Sequence, residues 1–110
     1  MSEDRTARIR AFNDVLRSTF VGGRVLTTSG VSALGSETVA AILDRVRGFA
    51  DFADDNDPHN EHDFGAFEIG GNSFFFKIDY YDPTMDAGSE DPSDPKKTTR
   101  VLTVMLASEY

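Results

Sequence analysis

"DFGAFEIGGNSFFFKIDYYD", residues 63–82, decides the fold. Two apolar runs flank Gly70-Gly71-Asn72. Such a triplet supplies the positive φ angles that a tight β-hairpin turn requires. In the second run Phe74, Phe76, Ile78 and Tyr80 share one face, and Phe75, Lys77, Asp79 and Tyr81 share the other, because successive strand side chains alternate. The first set is expected to pack on a core. The second mixes aromatic and charged groups, as a half-exposed sheet surface does.

Toward the C-terminus, "DPTMDAGSEDPSDPKK", residues 82–97, holds three prolines and five acids without periodicity and is expected to be a long acidic loop. A loop of that length in a compact domain points to function or mobility. "TTRVLTVMLASEY" then reads as a strand, with Leu102, Val104 and Leu106 on one face and Val101, Thr103 and Met105 on the other. Toward the N-terminus, Ser36 is expected to cap a helix whose apolar face is Val39, Ile42, Leu43, Val46 and Phe49, ending between Gly48 and Ala53. "RVLTTSG", residues 24–30, reads as a strand closed by Gly30. Ile9, Phe12, Val15 or Leu16, and Thr19 recur at helical spacing, predicting an amphipathic helix from about Thr6 to Phe20. Arg8, Arg10 and Arg17 lie elsewhere on its wheel, Gly22-Gly23 ends it, and residues 1–5 are expected to be a flexible start.

The order α-β-α-β-β-β predicts an α+β fold in two layers, with two helices packed on one face of a mostly antiparallel four-stranded sheet. At 110 residues the chain reads as a single domain, 1–110, and 39% apolar content with nine Phe supports a packed core.

The net charge of −8 is unevenly placed. Residues 1–50 carry seven Arg against five acids, residues 51–94 carry thirteen acids against Lys77 alone, and residues 95–110 carry three cations against Glu109. The middle block, at −12, excludes direct binding to phosphate backbones, which like charge repels. A basic protein partner, a cation, or solubility alone remains as its use. The absence of cysteine excludes disulfides, thiolate metal sites and thiol nucleophiles. No run approaches the roughly 18 consecutive apolar residues of a membrane span, and the charged start does not suit a secretory signal, so a cytoplasmic protein with no membrane contact is expected.

"DDNDPHNEHDFG", residues 54–65, gathers both histidines of the chain with Asp54, Asp55, Asp57, Glu61 and Asp63. Imidazoles with carboxylates suit borderline metals such as Zn²⁺ or Mn²⁺, which makes His59, His62, Asp57 and Asp63 the candidate ligands. The spacing matches neither a zincin helix, which Pro58 opposes, nor an EF-hand, which needs a loop glycine and a terminal Glu. No cofactor is therefore expected, and a divalent metal is the one group these residues would take. His59 could also act as a general base oriented by a neighbouring carboxylate. The plainer reading is a solvated loop whose Asp and Asn side chains cap their own backbone. In "KIDYYDP", Lys77 and Asp79 share a strand face, with Arg100 expected within reach of Asp79. An exposed pair of this kind contributes at most about 1 kcal/mol. Its functional reading adds Lys77 and Asp79 to the catalytic candidates His59 and His62. "VGGRV" and "IGGN" lack a P-loop lysine, and no serine sits in a nucleophile elbow.

Six segments, "FNDVLR", "GGRVLTTSGV", "NDPHNEHDFGAFE", "FFFKIDYYDP", "GSEDPSDP" and "TTRVLTVMLASEY", occur in this order. Together they resemble the domain of unknown function 3768 family of small proteobacterial proteins, over about Ile9 to Tyr110. The resemblance implies stand-alone proteins carried on bacterial chromosomes and plasmids. It marks the histidine loop and "KIDYYDP" as hallmark segments and implies no reaction.

Three functions follow as expectations. The first is an acidic binding or regulatory protein, in its sharpest form a nucleic-acid mimic facing a basic nucleic-acid-binding partner. Its contact residues would be Asp54, Asp55, Asp57, Glu61, Asp63, Asp82, Asp86, Glu90, Asp91 and Asp94. The second is a metal-dependent hydrolase using Asp57, His59, His62 and Asp63, with the loop and the strand Lys77–Tyr81 converging on one pocket. The third is a structural domain forming a homodimer through Phe75, Tyr81, Val101 and Met105.

Overall fold

A computed structural model describes residues 2–110, with side chains from Asp4 onward. In chain order the elements are α1 (Ser2–Thr19), β1 (Arg24–Thr27), α2 (Ser29–Ser32), α3 (Ser36–Arg47), β2 (Phe64–Ile69), β3 (Asn72–Tyr81) and β4 (Thr99–Leu106). Single 3₁₀ turns flank β4 at Pro95–Lys97 and Ala107–Glu109. The fold is α+β, and its four strands form one mixed sheet in the order β1-β4-β3-β2.

The hairpin forms where the glycines dictate. Ile69 pairs with Asn72, and Gly70 and Gly71 between them take φ values of +58° and +84°. Two consecutive left-handed residues are the primed turn that matches strand twist. β3 pairs antiparallel with β2 and with β4, whereas β1 runs parallel to β4. The chain leaves β1 through two helices and a hairpin before β4 returns beside it, the kind of long crossover a parallel pair requires.

Local boundaries shift from the sequence reading for identifiable reasons. α1 begins at Ser2 rather than near Thr6; Met1, in the segment expected to be flexible, lies outside the described residues. The strand read over residues 24–30 stops at Thr27, because the Thr28 hydroxyl accepts the Val31 amide and caps the short α2, a third helix. α3 begins at Ser36, but its N-cap is Gly35 and no side chain caps it.

The core takes Leu16 from α1, Val31 from α2, and Ile42 and Val46 from α3. Against them pack Phe49, Phe67, Phe74, Phe76, Ile78, Leu102 and Val104. Phe49 stands edge-on to Phe76 at 5.2 Å, directly over Gly65. A Cβ at Gly65 would overlap the Phe76 ring and lie 2.8 Å from Phe49, so only glycine lets the strand pass beneath these rings.

The opposite sheet face is partly covered by the chain itself. Tyr110 stands edge-on to Phe75 at 5.4 Å and lies 6.0 Å from Phe64. Glu109 accepts hydrogen bonds from Thr28, Leu106 and Gly30, which hold its carboxyl below the usual range and tie the last turn to α2. Val101 and Met105 are buried within the chain, at 5% and 4% exposure, which removes them from the expected dimer surface. No described helix is long and apolar enough to cross a membrane.

Candidate functional site

Both acidic loops are fastened to α1. Arg10 donates to the Asn60 carbonyl at 2.9 Å, Arg8 to the Ser93 carbonyl at 3.3 Å, and Arg5 pairs with Asp91 at 3.1 Å. Beside these contacts lies one made by a buried side chain. Asn13 is fully buried and donates to the Glu61 carbonyl at 3.0 Å and to the Tyr80 hydroxyl at 2.7 Å. Its Oδ1 accepts from Arg100 Nε at 2.9 Å, and Tyr80 in turn donates to Glu61 Oε1 at 2.8 Å. Arg100 also donates to the Pro92 carbonyl, and its guanidinium lies over the rings of Phe12 and Tyr80. Burial raises the Tyr80 phenol well above its ordinary value, so it stays a donor. One asparagine thus joins α1 to the first acidic loop, β3 and β4, and Arg100 extends the link to the second acidic loop through Pro92.

His62 belongs to this clamp. Its ring stacks on Phe52 at 3.9 Å and 3° between planes, with Nδ1 2.8 Å from Asp14 Oδ1 and Nε2 3.7 Å from Asp57 Oδ2. Arg17 reinforces it, donating to Asp14 at 2.7 Å and lying over Phe52. Asp57 is buried and accepts the backbone amides of Glu61 and His62, both at 3.1 Å. That cap supports left-handed backbone at Asn60 and His62. Asp57 is therefore a turn-forming residue and not part of an exposed contact surface.

His59 lies elsewhere. It lines a cleft of about 460 Å³ between the acidic loop and the outer sheet face, together with Asp55, Asp63, Phe64, Lys77, Asp79 and Tyr110. Lys77 Nζ lies 3.0 Å from Asp79 Oδ2, and this hydrogen bond raises the ammonium's pKa. Burial, reinforced by the Glu61 charge, raises the Asp63 carboxyl. The structure thus brings His59, Asp63, Lys77 and Asp79 to one cleft while turning His62 toward α1 and engaging Asp57 with the backbone of its own loop. The four residues read as one metal set are divided between these two places. Among the described residues no three His, Asp or Glu side chains are grouped to hold a metal ion.

Arg100 does not reach Asp79. The register pairs it with Tyr80, which places it on the inner face, and Asp79 faces outward opposite Val101. Of the other acids, Asp54, Asp55, Asp86 and Glu90 are exposed, whereas Asp63 is half-buried in the cleft. Asp82 accepts from Thr84 and Asp86 within a turn, Asp91 from Arg5 and Ser93, and Asp94 from Lys96. Hydrogen bonds from Ser93 and Arg5 hold the Asp91 carboxyl down at about 2.

Sequence reasoning missed Asn13, Asp14, Arg17, Phe52 and Tyr110. For Asn13 a signal exists: in "FNDVLR" it falls between Ile9 and Leu16 on the apolar phase of the helix, where a polar residue implies a buried partner. Nothing local marks Phe52 or Tyr110.

The profile of a family described as "Protein of unknown function" (DUF3768) matches residues 27–109. No curated protein and no solved structure matches the chain.

Proposed function

The chain belongs to the domain of unknown function 3768 family, and from its geometry we propose that it is a binding protein that presents a fixed acidic surface to a basic protein partner. The observation that carries this reading is the division of labour among the acids. Asp57, Asp91 and Asp94 build turns, and α1 ties both loops down, which leaves Asp54, Asp55, Asp86 and Glu90 exposed on anchored backbone. A solubilising tail needs no such anchoring. Carboxylates at set positions favour specificity and fast encounter with a partner of opposite charge. The partner class that fits best is a basic nucleic-acid-binding protein in a soluble, cytoplasmic setting.

The test is affinity capture from bacterial lysate at low and high salt, using the wild type and an Asp54→Asn/Asp86→Asn/Glu90→Gln variant. The reading expects a basic protein retained at low salt, released at high salt and lost with the variant. Retention unchanged by the variant rejects it.

A hydrolytic enzyme is the second reading, favoured by the convergence of His59, Asp63, Lys77 and Asp79 on the cleft. A melting screen with Zn²⁺, Mn²⁺, Mg²⁺ and Ca²⁺, repeated on His59→Ala, separates the two, since an ion that binds only the folded chain raises the melting temperature.

A further inference from the structure

We propose that the cleft between the acidic loop and the outer sheet face seats an arginine side chain of the partner, an inference that rests on the acidic-surface reading and names the group recognised. The cleft holds about 460 Å³, within the roughly 300–1,000 Å³ of small-molecule sites. Its charge is unbalanced: Asp55, Asp63 and Asp79 face one cation, Lys77, and Asp79 already engages that cation at 3.0 Å. Among the described residues no cation pairs with Asp55 or Asp63. Asp63 is also half-buried, so its charge has lost water, and it is steadied only by its own backbone amide and the nearby His59.

The aromatic wall favours guanidinium over ammonium. Phe64 and Tyr110 stand 6.0 Å apart, and Tyr110 is 74% exposed, which leaves bare aromatic surface at the cleft rim. A planar guanidinium stacks on a ring and reaches carboxylates sideways with several N–H donors, which an ammonium cannot do. Among the described residues the chain seats its own arginines in this manner twice. Arg47 lies 4.3 Å from the Phe20 centroid while donating to Asp44 at 2.6 Å, and Arg17 lies 5.1 Å from that of Phe52 while donating to Asp14 at 2.7 Å. The cleft offers the same ring and carboxylate, and no arginine lines it.

The probe is the capped peptide acetyl-Gly-Gly-Arg-Gly-Gly-amide, titrated into isotope-labelled protein beside its Lys counterpart and Mg²⁺ alone. The Arg peptide is expected to move the ring resonances of His59 and Tyr110 and the amides of Asp55 and Asp63, more tightly than the Lys peptide. Asp63→Asn, isosteric and uncharged, and the exposed Asp55→Asn should each weaken it by about tenfold, the loss of one charge-assisted hydrogen bond. Asp86→Asn, outside the cleft, should not. Equal binding of the Lys peptide, stronger shifts with Mg²⁺, shifts that arise from raising the protein concentration alone, or indifference to both cleft variants overturns the inference. Capture of the basic partner separates the two claims. If cleft variants still capture it while Asp54→Asn/Asp86→Asn/Glu90→Gln does not, the arginine seat fails and the acidic-surface reading stands; if neither set matters, both fail.

Discussion

Asn13 on α1 and Arg100 on β4 meet in the interior, Oδ1 accepting Nε–H at 2.9 Å. Both residues are buried, so removing the amide leaves a buried guanidinium and the Tyr80 hydroxyl short of partners. Asn13→Ala is expected to cost about 3 kcal/mol, because a buried charge that loses one of its acceptors costs more than a neutral hydrogen bond contributes. Asn13→Leu, though apolar and large, should recover little of it. Urea unfolding of the three proteins measures both values.

Gly65 passes beneath two aromatic rings with no room for a methyl group. Gly65→Ala should destabilise by about 1–3 kcal/mol, the usual penalty for overpacking a core. Gly35→Ala provides a contrast: a methyl group there would meet no neighbouring atom within 4 Å, so any cost comes from its φ of +95° alone. Thermal melts of the two variants separate crowding from backbone strain.

Asp91 contributes a pH dependence of known sign. Its folded value of about 2 lies below the ordinary 3.8, so its contribution is present above the ordinary value and is lost as pH falls through the folded one. The stability gap between wild type and Asp91→Asn should close as pH drops from about 4 to about 2. Melting curves recorded across that range provide the check.

Asp63 behaves in the opposite sense. Burial raises its folded value, so ionisation works against folding: the favourable contribution exists below the ordinary carboxylate range and is lost as pH rises through the raised value. Asp63→Asn should therefore melt higher than wild type at neutral pH and lose that advantage in acid. A stabilised variant with weaker arginine-peptide binding would mark Asp63 as a residue whose use lies in recognition rather than folding.

The hairpin at Gly70-Gly71 and the inner faces of β3 and β4 were legible in the sequence, because the alternation of two faces and the demand for positive φ are local signals. The parallel placement of β1 was not, since nothing in "RVLT" distinguishes the two directions of pairing. The site was half legible. His59, Asp63, Lys77 and Asp79 were named and do share a cleft. The separation of the two histidines was hidden in Asp14 and Phe52, which lie 48 and 10 positions from His62 and draw it toward α1. The acidic block looked untethered because the arginines that fasten it, Arg5 to Asp91 and Arg8 and Arg10 to backbone carbonyls, lie at the other end of the sequence.

A fixed acidic surface requires loops held by α1 rather than solvated and mobile. Backbone ¹⁵N order parameters across residues 54–63 test this most directly. The clamp of Asn13, Asp57 and His62 predicts values near 0.85, those of rigid backbone, falling in Asp57→Ala as the Glu61 and His62 amides lose their acceptor. Values below about 0.6 in the wild type would contradict it.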